Sequence, residues 1–107
     1  MNKEEKKEYL NNILQLVFTG TEENFELAET LIESLNLHDD FVNHAEKEIK
    51  ILRVKKSFIE SRYFMKGMQK KVLENVQKAA EIGSDIMKIK SFLSDIKNKK
   101  PQQNEGA

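Results

Sequence analysis

The sequence predicts an all-α fold, with two short N-terminal helices followed by a long heptad-patterned helix, packed as a coiled coil or helical bundle. Three observations carry this expectation. Apolar residues recur at three- and four-residue spacing along most of the chain. One proline, at position 101, and four glycines are the only strong helix breakers in 107 residues. From Ile51 onward, a single seven-residue repeat persists for seven heptads. The length fits one domain, placed at residues 1–100, and the polar end "PQQNEGA" reads as a disordered tail over 101–107.

The first helix is predicted at about 4–18, because Leu10, Ile13, Leu14, Val17 and Phe18 share one face. Gly20 should end it, since glycine reaches the left-handed conformation that closes a helix without a steric penalty. Thr21 is placed to cap the second helix, predicted at about 22–36. Glu22, Glu23 and Glu26 sit where the positive end of that helix's dipole favours carboxylates, and Leu27, Ala28, Leu31, Ile32 and Leu35 should line its buried face. Asp39 or Asp40 in "NLHDD" is the expected cap of the third helix.

Gly20, Glu23, Asn24, Glu26, Leu27, Ala28, Leu31 and Leu35 make a run that resembles a helical segment, G-x-x-E-N-x-E-L-A-x-x-L, of leucine-rich-repeat and other proteins of Bacteroidota and their phages. The likeness covers residues 20–37. No "LxxLxL" strand unit follows, so it implies a bacterial or phage genome of that kind and neither a repeat fold nor an activity. Every residue of the stretch already has a capping, dipole or core role. Glu23, Asn24 and Glu26 are the ones through which a binding site there would show itself.

With Ile51 as position a, the a positions are Ile51, Phe58, Met65, Val72, Ala79, Ile86 and Leu93. The d positions are Val54, Ser61, Met68, Asn75, Ile82, Ile89 and Ile96. Their apolar members form the expected core and oligomer face, and the polar Ser61 and Asn75 would set register or strand number. Position b is also apolar at Leu52, Ile59, Leu73, Ala80 and Met87, so the apolar arc is wider than a two-stranded seam and needs a further cover. Gly83, followed by Ser84 and Asp85, is the better candidate for a break, and Gly67 the weaker. The unbroken heptad phase through both favours one helix over about 40–98. Continuous from Phe41 to Asn98, it would span about 87 Å.

Charge divides the chain. Residues 1–48 hold twelve acidic residues against four lysines, whereas residues 49–107 hold fourteen Lys or Arg against six acids, so a formal net charge of zero conceals halves of −8 and +8. The acidic helix pair is therefore an expected cover for the basic helix, within one chain or between copies. An unsatisfied basic half would instead suit nucleic acid. Lys55, Lys56, Arg62, Lys66, Lys70 and Lys71, interleaved with Tyr63, are the candidate phosphate and base contacts.

Other chemistry is sparse. Zero cysteines exclude disulfides and thiolate sites and fit a reducing compartment. Asp40, His44 and Glu48 lie one turn apart, with His38 and Asp39 just before them, which is a conceivable metal spacing but also an ordinary solvated helix start. Ser57, Ser61, Ser84, Ser91 and Ser94 have no histidine at helical spacing, and "TGTEE" lacks the lysine and second glycine of a phosphate loop. The sequence therefore predicts no enzyme, no cofactor, no metal and no small-molecule substrate. The charged start "MNKEEKKEYL" and the absence of a long apolar run predict neither signal peptide nor membrane span. The expected compartment is the cytoplasm, or the virion interior for a phage-borne chain. The expected function is protein–protein interaction or assembly, by a small oligomerising adaptor; nucleic-acid binding through the basic half is the alternative.

Overall fold

Asn2 opens the first helix with a reciprocal cap. Its Oδ1 accepts from the Glu5 amide at 2.8 Å, while its own amide donates to Glu5 Oε1 at 3.1 Å. A computed structural model describes residues 1–62 and 69–98, and four helices occur there: α1 (Lys3–Thr19), α2 (Glu22–Ser34), α3 (His38–Glu60) and α4 (Gln69–Asn98). No strand is present among the described residues. The domain end and tail expected at 99–107 lie outside them.

Gly20 ends α1 with φ of 72°, and its amide donates to the Val17 carbonyl. Thr21 then accepts from the Asn24 amide at 3.3 Å, so one short segment stops a helix and starts the next. Asn36, at φ of 55°, takes the corresponding left-handed role after α2. The expected aspartate cap of α3 is not formed. Leu37 occupies the cap position without a side-chain hydrogen bond, and Asp39 and Asp40 fall in the first turn. There their carboxylates lie at the positive end of the helix dipole.

The single helix expected over 40–98 is overturned. Helix α3 ends at Glu60, and α4, from Gln69, is its antiparallel partner. His38 Nε2 lies 3.4 Å from the Ile96 carbonyl oxygen at one end of the pair, and a Cβ built at Gly83 would stand 3.4 Å from Lys56 Cε further along. The longest extent, 60 Å, is well short of a continuous helix. The physical reason is coverage: folding back lets Ile49 and Leu52 of α3 and Ile86 and Ile89 of α4 leave water within the same chain. Gly83, the favoured break, lies inside unbroken α4, whereas Gly67 lies outside the described residues.

All four helices feed one core. Leu10, Ile13, Leu14 and Val17 come from α1, Ala28 and Ile32 from α2, Phe41, Ala45, Ile49 and Leu52 from α3, and Ile86, Ile89, Phe92, Leu93 and Ile96 from α4. Phe92 is fully enclosed and meets Phe25 and Phe41 edge-on, with centroids 5.4 Å and 5.5 Å away. Leu27, expected on the buried face of α2, is exposed instead; adjacent Ala28 takes the core position, its small side chain letting the helix approach closely.

Candidate interaction surface

The helix pair α1–α2 covers only the lower half of the α3–α4 hairpin. Lys6 pairs with Asp40 at 3.2 Å, His44 donates to Asn11 Oδ1 across 2.7 Å, and Lys88 Nζ donates to the Phe18 carbonyl at 3.0 Å. These contacts place the end of α1 beside Lys88 of α4. Beyond Leu52 in α3 and before Ile86 in α4, Ala79 is the one buried residue among those described. This upper half, residues 53–62 and 69–85, is a two-helix arm.

The arm carries its apolar residues on the outside. Val54 is 70% exposed, Phe58 59% and Leu73 69%, and Ile51 and Val76 are exposed as well. On α3, Asp40, His44, Ile51, Val54 and Phe58 follow helical spacing, so this strip prolongs the face on which α1 packs lower down. Val54, Lys55 and Phe58, with Ile59 and Ile82 behind them, line an open groove. Arg62 lies over the Phe58 ring at 5.2 Å, a cation–π contact at the strip's end.

The residues predicted as one face are thereby divided. Ala79, Ile86, Ile89, Leu93 and Ile96 are buried within the chain, Val72 and Ile82 are half-buried, and Ile51, Val54 and Phe58 face water. Met65 and Met68 lie outside the described residues. The heptad frame fits the inner face of α4 but not that of α3, where Phe41, Ala45, Ile49 and Leu52 point inward. Leu52 and Ile59 at position b replace Ile51 and Phe58 at position a. Val76 and the exposed Leu27 were missed as surface candidates, because each shares the three- to four-residue spacing of a core position.

Cations rim the arm. Arg53, Lys55 and Arg62 are exposed, while Lys56 pairs with Glu60 and Lys78 with Glu74 along their own helices. Arg53 and Lys55 form no ion pair among the described residues. Of the other predicted nucleic-acid contacts, Tyr63 and Lys66 lie outside the described residues, and Lys70 and Lys71 fall in the first turn of α4. The acidic half does not fold over this region. Helix α2, with five glutamates and no basic residue, is held near the opposite end by Phe25 on Phe92.

The histidine cluster does not assemble. His44 faces Asn11, and His38 points Nε2 at the Ile96 carbonyl while its buried Nδ1 has no hydrogen-bond partner. Among the described residues no group of three His, Cys, Asp or Glu is gathered as a metal ion would require. Burial holds the His44 imidazole below its usual range; Lys7 and Lys47 add to this and Glu48 opposes it. No helix among the described residues is long and apolar enough to cross a membrane. The chain matches no protein-family model, no curated protein and no solved structure.

Proposed function

We propose that this chain is a non-enzymatic protein–protein interaction and assembly module whose contact surface is the uncovered arm of the α3–α4 hairpin. The supporting observation is the outward strip of Val54 and Phe58, with Leu73 and Val76 on the second helix of the arm. Large apolar side chains exposed on a small domain are costly in water, and association relieves that cost. Light scattering on the full chain at low and high concentration tests the reading. A mass of two or more chains is expected, and a monomer at every concentration and salt would sink it.

A second reading is favoured by the unpaired Arg53 and Lys55 on the arm. It is electrostatic binding of nucleic acid, and its signature is affinity for generic DNA or RNA that falls steeply with salt through counterion release. Changing Lys66, Lys70 and Lys71 to glutamine would then lower the salt slope by up to about three contacts.

A further inference from the structure

We infer that the arm's occupant is helix α2 of a second copy of this chain, docked head to tail, so that each molecule carries both halves of the contact. The inference rests on the assembly reading above and names its partner. Charge supplies the first argument. Glu22, Glu23, Glu26 and Glu33 project from α2 as exposed carboxylates and make no ion pair among the described residues. Arg53 and Lys55 of the arm are equally unpaired. The chain as a whole is neutral, yet its two charged surfaces remain uncompensated where the fold puts them.

Within one molecule the two surfaces are not joined: Phe25 fixes α2 against Phe92, and among the described residues no ion pair links α2 to the arm.

Apolar chemistry decides against a purely electrostatic partner. Leu27 stands exposed one turn after Glu23 and beside Glu26, on a helix whose core side is already filled by Ala28 and Ile32. A leucine flanked by carboxylates complements a groove lined by Val54 and Phe58 with Lys55 at its edge. A phosphate backbone offers those two side chains nothing. Two arms placed face to face would oppose cation with cation, which disfavours an arm-to-arm dimer. The contact therefore joins different patches on the two copies.

The test is a charge swap in the full chain. One variant carries Glu23→Lys, Glu26→Lys and Glu33→Lys; the other carries Arg53→Glu, Lys55→Glu and Arg62→Glu. All six side chains are exposed, so helical circular dichroism should match wild type and serves as the control for folding. Each variant alone is expected to scatter as a monomer at low salt, where wild type associates. An equimolar mixture should regain the associated mass, because the lysines of one α2 now meet the glutamates of the other's arm. Variants that keep the wild-type mass, or a mixture that stays monomeric, would overturn the docking of α2 while leaving the assembly reading standing. A wild-type monomer would remove both, and an arm that binds nucleic acid in that state would point to the electrostatic reading.

Discussion

Lys88 reaches from α4 to the Phe18 carbonyl at the end of α1, and its stem lies against Gly20. Gly20 is thus constrained twice, by a φ of 72° and by a Lys88 Cε that would sit 3.1 Å from any added Cβ. Gly20→Ala should therefore cost about 1–2 kcal/mol, the usual penalty for a side chain in the left-handed region, as read from urea denaturation. Gly20→Val should cost more. His44 makes a second residue-scale prediction. Its imidazole is held below its ordinary range by burial, so the unfolded chain takes up this proton first as pH falls. The contribution is whole above the unfolded value near 6.5 and drains away as pH drops through the lowered folded value. A His44→Gln chain should show a shallower loss of stability below that pH than wild type, in paired denaturation curves.

The lower part of α4 buries residues that hold the fold, and the arm part of α3 displays Val54 and Phe58. Ile86→Asp with Leu93→Asp places two carboxylates in the chain's own core, where an unpaired charge is strongly unfavourable. This variant should lose its helical circular dichroism, and a folded monomer would contradict the core assignment. Val54→Asp with Phe58→Asp should keep full helicity, because both positions face water. The sequence made α1, α2 and the inner face of α4 readable, since Gly20 and Thr21 punctuate the first two and apolar spacing marks the third. It did not reveal the reversal between Glu60 and Gln69. Apolar residues fill both a and b in α3, at Ile51 and Leu52 and again at Phe58 and Ile59, and periodicity cannot choose between neighbours one position apart. A hairpin and a straight helix also share the same heptad phase when the turn preserves it. The arm as a contact surface was legible only as excess apolar width and segregated charge; where α1 and α2 stop covering it is a tertiary outcome.

Across the whole molecule, packing is concentrated at one end. The fully enclosed side chains Ile13, Val17, Ile32, Phe41, Ile89 and Phe92 all belong to the four-helix base, while the arm rests on Ala79 and the half-buried Ile59 and Ile82. Local opening is easiest where few buried contacts must be broken, so stability should fall along α3 and α4 from base to arm. In native-state hydrogen exchange, amides near Ile89 and Phe92 should exchange only through global unfolding, and those near Phe58 and Leu73 through much cheaper local opening. Equal protection along α4 would contradict this gradient. The two ends of each long helix would then report different events, the base reporting survival of the fold and the arm reporting its own fraying.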